Sequence, residues 1–133
     1  MVISYLDTSA AMKLLVEEPE SNALSAYLLS PAAAGSRDVV ASWLLHAELH
    51  CAANRHTDDV DLVSVGAILD AVTLVDLTRG DLLTAGTLPG RLRANDAMHL
   101  AAALRVGVDE MITYDQELAD AAAAAGVSVA APS

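Results

Sequence analysis

Phenylalanine is absent from this sequence, tryptophan and cysteine occur once each, and only seven residues carry positive charge. Each scarcity excludes something. With no Phe and one Trp, the core is expected to be aliphatic. A single cysteine, Cys51, forms no internal disulfide and supplies no cysteine-rich zinc site, which fits a reducing cytoplasm, the expected location. No apolar run approaches the roughly 18 residues of a membrane span. The N-terminus has no basic region followed by a long apolar one, so no signal peptide is expected. Seven cations against eighteen Asp and Glu leave a net charge of −11, which taken alone opposes binding to a polyanion.

What is present is apolar and helix-forming. The 133 residues are 54% hydrophobic, with much of that alanine, enough for one domain with a core across residues 1–133. VISYL (2–6) reads as a buried first strand because it is almost continuously apolar. A helix to Val16 follows Asp7-Thr8-Ser9 and is ended by Pro19, and a second runs over about 20–29. A loop, PAAAGSR, leads to a small strand near Val39 and Val40, then to helices over 42–54 and 58–69. VTLVDL (72–77) is a predicted strand, 78–88 a helix stopped by Pro89-Gly90, and 95–106 a strongly apolar helix ended by Gly107. EMITY (110–114), a helix over 115–125 and VSVAA (127–131) complete the order. Strands alternating with helices imply an α/β fold with a mostly parallel sheet covered on both faces. Sites in such folds gather at the carboxyl ends of strands, where Asp7 and Asp115 lie.

HAELH (46–50) raises the question of zinc. His46 and His50 share a helical face, but Glu48 lies about 200° around from each and points away from both. In a zinc-protease helix the glutamate is adjacent to the first histidine. A deaminase would need a second cysteine pair that one cysteine cannot supply. Glu48 instead shares a stripe with Leu44, Leu45, Cys51 and Ala52, so it faces the core or a cleft while the histidines face outward. A carboxylate there needs a partner: an arginine, backbone donors or a metal.

Each of the other acidic candidates has a structural explanation. Asp7 and Asp115 suit helix N-caps, Thr113 with Gln116 suits a capping box, and Asp96 suits the dipole at the start of its helix. Gathered in one place, however, carboxylates about 4 Å apart repel by about 4 kcal/mol at an effective dielectric of 20. An all-oxygen cluster selects hard cations such as Mg²⁺ or Mn²⁺, and such sites hydrolyse phosphate esters.

Four segments, YLDTSA (5–10), AELH around Glu48, RANDAMHLAAAL (93–104) and TYDQELADAA (113–122), carry a family resemblance across almost the whole chain. The chain resembles the PIN-domain nucleases, specifically the VapC toxins of VapBC-type toxin–antitoxin pairs. The resemblance implies a PIN-like three-layer sandwich. It also implies an Mg²⁺- or Mn²⁺-dependent endoribonuclease that cleaves structured RNA of the tRNA or ribosomal class by attack of metal-activated water. Its acidic set would be Asp7, Glu48, Asp96 and Asp115, with Asp7 and Asp96 as main ligands and Asp115 acting through water. Thr8 or Ser9 would hold a metal-bound water, and Thr113 would orient Asp115. The partners implied are RNA, a VapB-type antitoxin whose tail crosses the site, and a second copy or a toxin–antitoxin assembly.

Arg79, Arg91, Arg93 and Arg105 are four of the seven cations and cluster between 79 and 105, giving the expected RNA approach, with Arg93 foremost. His99 is expected on the helix surface or in packing rather than as a base. Competing readings are weaker. A haloacid-dehalogenase-type phosphatase needs a second Asp where Ser9 stands. A receiver domain needs a late lysine, and the only lysine is Lys13. A partner-binding PIN-like domain without turnover, or another metal-dependent phosphoesterase, are the remaining alternatives.

Overall fold

The computed structural model describes residues 1–30 and 35–133. Five strands, β1 (Val2–Leu6), β2 (Arg37–Ser42), β3 (Thr73–Val75), β4 (Glu110–Ile112) and β5 (Ser128–Ala130), form one sheet in the order β3-β2-β1-β4-β5. Every neighbouring pair is parallel. Seven helices flank it among the described residues: α1 (Thr8–Leu15), α2 (Ser21–Leu29), α3 (Leu44–Arg55), α4 (Leu62–Ala71), α5 (Arg79–Ala85), α6 (Ala94–Val106) and α7 (Gln116–Ala124). The chain steps from β1 outward to β3, then returns past β1 to β4. Right-handed crossovers in opposite directions put the helices before β3 on one face and those after it on the other. The packing agrees: α1 to α4 contact one another, while α6 packs on α5 and α7.

The α/β sandwich expected from the sequence is therefore present, with a sheet that is parallel throughout. The sheet order reverses between β1 and β4, which makes their carboxyl ends a topological switch point. Asp7 ends β1, and Thr113 to Asp115 follow β4.

Leucine and alanine fill the core, as in Leu24, Leu45, Leu49, Leu100 and Leu118 with Ala10, Ala11, Ala102 and Ala122. Tyr5 amends the aliphatic expectation: it is fully buried at the centre of the sheet. Its hydroxyl is satisfied by the Ser42 amide and by His99, which is what permits a phenol there.

Element edges differ from the sequence reading where caps and pairing override propensity. The helix expected from residue 58 begins only at Leu62, because Asp61 caps it by accepting the Val63 amide. The strand expected at 72–77 pairs only over Thr73–Val75, and EMITY leaves the sheet after Ile112. The small strand near Val39 extends over six residues and includes Arg37. The loop expected at 31–37 lies, for residues 31–34, outside the described residues. Gly107 ends α6 in the left-handed conformation at φ 75°, as expected of a glycine C-cap.

Arg105 also departs from expectation. It is spent on structure: its guanidinium donates to Asp81, 2.8 Å away, and to the Asp76 carbonyl. Asp81 is 2% exposed and closes a capping box with Thr78 at the start of α5. Burial raises the Asp81 carboxyl, but Arg105 and the Thr78 amide outweigh it and hold the group below its ordinary range. That stabilisation is present above the ordinary aspartate pKa and is lost as pH falls through the lowered one. Asp81→Ala removes cap and ion pair together. It is expected to cost about 1–3 kcal/mol in urea unfolding at neutral pH, with the difference shrinking toward acid.

Candidate active site

Three short segments deliver acidic side chains to the switch point. Asp7 is the N-cap of α1 and accepts the Ala10 amide at 2.9 Å. Asp115 is the N-cap of α7 and accepts the Leu118 amide at 3.0 Å. Asp96 lies in the first turn of α6. Each therefore sits where a helix N-terminus favours negative charge. Glu48 comes from the inward side of α3, as its helical spacing implies. On the outer side the His46 and His50 rings stack at 4.2 Å beside Trp43, and His50 Nδ1 donates to the His46 carbonyl.

Glu48, Asp96 and Asp115 line one open cleft of about 600 Å³ together with Thr8, Ser9 and Arg93. Asp7 does not line that cleft: it is 2% exposed, bonded to the cleft residue Ser9, and its carboxylate is held by three groups. Ser9 Oγ lies 2.8 and 2.9 Å from its two oxygens, Thr113 donates at 2.5 Å, and the Ala10 amide completes the set. Burial pushes the Asp7 carboxyl above its ordinary value, against the pull of Thr113, the Ala10 amide and Ser9.

Glu48 is bound differently. Its carboxylate accepts from Thr8 at 2.8 Å, from Asn95 at 2.9 Å and from His99 Nε2 at 2.6 Å. Burial raises this group, but His99, Asn95 and Thr8 outweigh burial and leave it below the ordinary glutamate range. No donor among the described residues reaches the half-buried Asp96 carboxylate. Burial raises it, the charge of Asp115 raises it further, and Asp7 and Glu48 add to this against His99.

Thr8 and Ser9 thus hold carboxylates directly. Thr113 serves Asp7 with its hydroxyl while accepting the Asp115 amide at 3.1 Å, so the expected Thr113–Gln116 capping box is replaced by Asp115's own cap. Arg93 stands at the cleft, Arg91 lines a separate hollow beside Glu117 and Asp120, and Arg79 is exposed at the start of α5. His99 is not on the helix surface: it is 1% exposed and bonded to both Tyr5 and Glu48. Tyr5, Asn95 and His99 are the residues that sequence reasoning missed as members of the site. The only signal was that Asn95 and His99 stand four apart on one face of the helix that carries Asp96.

The carboxylates that line the cleft offer oxygen ligands only, and Asp96 has no hydrogen-bond donor among the described residues, which suits a hard divalent cation. Among the described residues, no three His, Cys, Asp or Glu side chains converge tightly enough to enclose an ion alone. Mg²⁺ does not need that, since it keeps several waters and takes one or two carboxylates.

The PIN domain family matches residues 4–124. Ribonuclease VapC46 of Mycobacterium tuberculosis is 41% identical over 139 residues, covering 100% of each chain. Two solved structures match at lower identity and speak to the fold. VapBC2 from Rickettsia felis, bound to a DNA fragment from their promoter, aligns with a TM-score of 0.74 at 14% identity, over 97% of this chain and 98% of that one. VapC20 from M. tuberculosis, described as a sarcin-ricin loop cleaving toxin, aligns with a TM-score of 0.67 at 17% identity, over 93% and 95%.

The cleft carries a pH signature. Asp7 and Asp96 have raised folded-state pKa values, so their contribution to stability is full below the ordinary aspartate value and is lost as pH rises through the raised ones. Glu48 behaves oppositely, but only near and below the ordinary glutamate range. In chelator-treated protein these two groups are therefore expected to add stability on going from neutral pH to a pH just above the ordinary aspartate range. Asp96→Asn should raise the urea midpoint at pH 7 and reduce that gain. Equal midpoints for the two proteins at both pH values would contradict the electrostatic picture.

Proposed function

The chain belongs to the VapC ribonucleases of the PIN-domain family, and from that premise we propose that its acidic cleft cleaves RNA as the toxin of a toxin–antitoxin pair. The observation that carries this reading is the assembly of Glu48, Asp96 and Asp115 in one cleft, with Asp7 bonded to Ser9 of its lining, at the switch point of a parallel sheet. The chain acts as one PIN domain across residues 1–133, in the cytoplasm.

Mg²⁺ or Mn²⁺ would be held by Asp96 and, from the cleft wall, Asp115; Asp7, expected as a main ligand, is 2% exposed and would complete the field with Glu48, directly or through water. When bound, such an ion acidifies a water and stabilises negative charge on phosphoryl oxygens. The protein's own groups supply the rest. Thr8, Asn95 and His99 fix Glu48, and Ser9 and Thr113 fix Asp7, so the negative charges are positioned before substrate arrives. Arg93 at the cleft edge meets a phosphate of the RNA. Arg91, in its separate hollow, and Arg79, exposed at the start of α5, would be secondary contacts away from the cleft.

A surface with net charge −11 and few free arginines favours a substrate touched at few phosphates. A compact loop of tRNA or ribosomal RNA meets that condition, and a neighbour described as a sarcin-ricin loop cleaving toxin supports this class. Acidity suits the partner better. A basic VapB-type antitoxin tail fits the cleft and the adjoining groove that runs from Thr8 and Glu48 between α1 and α3 to Arg55. Pairing with an antitoxin is supported by the VapBC complexes among the structural neighbours. A homodimer or a toxin–antitoxin assembly is the form proposed.

Purified, antitoxin-free protein is expected to cut total RNA into discrete fragments with Mg²⁺ or Mn²⁺ and not with EDTA. Asp96→Asn is expected to lower the rate at least about 10³-fold with an unchanged circular dichroism spectrum, as for loss of a group acting on the transition state. Folded wild-type protein that cuts no RNA under either metal would favour a binding role.

A further inference from the structure

A buried chain of hydrogen bonds runs from the backbone of β2 to Glu48. The Ser42 amide donates to Tyr5 Oη at 3.1 Å. Tyr5 Oη lies 2.7 Å from His99 Nδ1, and His99 Nε2 lies 2.6 Å from Glu48 Oε1. With His99 neutral, and with Nδ1 the one acceptor that the described residues offer the Tyr5 hydroxyl, the end groups set every direction in between. A backbone N–H only donates, so the Tyr5 oxygen accepts there and sends its own proton to Nδ1. Nδ1 is then the acceptor nitrogen, the ring proton resides on Nε2, and that proton points at a carboxylate that only accepts. Burial, the largest effect on Tyr5, pushes the phenol up to about 12, so it stays a donor. Thr8 Oγ1, 3.2 Å from Nε2, gives its own proton to Glu48.

An ionised carboxylate has about four acceptor sites. On Glu48, Oε1 takes Thr8 and His99, and Oε2 takes Asn95. One acceptor site remains, on Oε2, the oxygen that His99 and Thr8 do not engage. His99 has both nitrogens engaged and is buried, so it has no lone pair to offer a water in the cleft.

We propose that Ser42, Tyr5 and His99 form a positioning device that locks the Glu48 carboxylate and leaves only Oε2 to face a divalent cation or its water. His99 is then a positioning residue acting through Glu48. This rests on the reading of Glu48 as a residue of the metal site. Partners behind a metal ligand commonly change affinity about 10–100-fold when removed. Asn95 and Thr8 remain in the variants, so the lower end applies here.

Two measurements on the full chain test it. Two-bond ¹H–¹⁵N spectra of the wild-type protein should show His99 as a single tautomer with the proton on Nε2, and Tyr5→Phe should broaden or mix it. Mn²⁺ binding followed by electron paramagnetic resonance, without RNA, should weaken about tenfold in His99→Leu. His99→Gln should recover to within about threefold of wild type, because its amide restores a donor toward Glu48. Melting curves establish that each variant is folded. A His99 proton on Nδ1 would overturn the proposal. So would a folded His99→Leu that binds Mn²⁺ like wild type while Glu48→Gln binds it weakly. If Glu48→Gln also binds normally, the placing of Glu48 at the metal site has failed, and the device falls with it.

Discussion

Repulsion among carboxylates at one end of a parallel sheet is the constraint around which this molecule is built. Burial raises the Asp96 carboxyl, and the charges of Asp115, Asp7 and Glu48 raise it further, while Asp7 is raised by burial itself. The fold meets that cost with three devices. Helix N-termini face three of the acids, hydroxyls of Thr8, Ser9 and Thr113 bind two of them, and the Tyr5–His99 pair supports Glu48. Only Asp96 is left without an internal donor among the described residues. That residual imbalance is where a cation has most to gain.

The two explanations available for Asp7 and Asp115 turn out to be one. A strand that ends at a helix start supplies both the orphan amides that a cap satisfies and the exposed sheet edge where ligands bind. This is why these two positions were legible in the chain itself. Glu48 was legible from helical spacing, since a glutamate on the apolar stripe of α3 must face inward. Asp96 was legible from its place in the first turn of a helix and from the family resemblance of its flanks.

What was not legible depended on contacts distant in sequence. Tyr5 and His99 are 94 residues apart, and no local pattern joins them. An isolated histidine on an apolar helix reads as packing, and its second bond, to Glu48, becomes visible only once α3 and α6 meet. The arginine cluster misled in the opposite way. Proximity in sequence suggested a common RNA face, but Arg105 is bound to Asp81, Arg91 lines a different hollow and only Arg93 reaches the cleft. Strand ends were overextended because Leu77 and Tyr114, past Val75 and Ile112, are apolar and partly buried although they lie outside the strands.

The most direct test is to locate the cation. Anomalous diffraction from crystals grown with Mn²⁺ should give a peak in the cleft beside Asp96 and Asp115, on the side of Glu48 Oε2, and the same crystals of Asp96→Asn should lose it. A fully occupied peak elsewhere on the surface, or an unchanged peak in Asp96→Asn, would contradict the assignment of this carboxylate cluster as the metal-dependent centre.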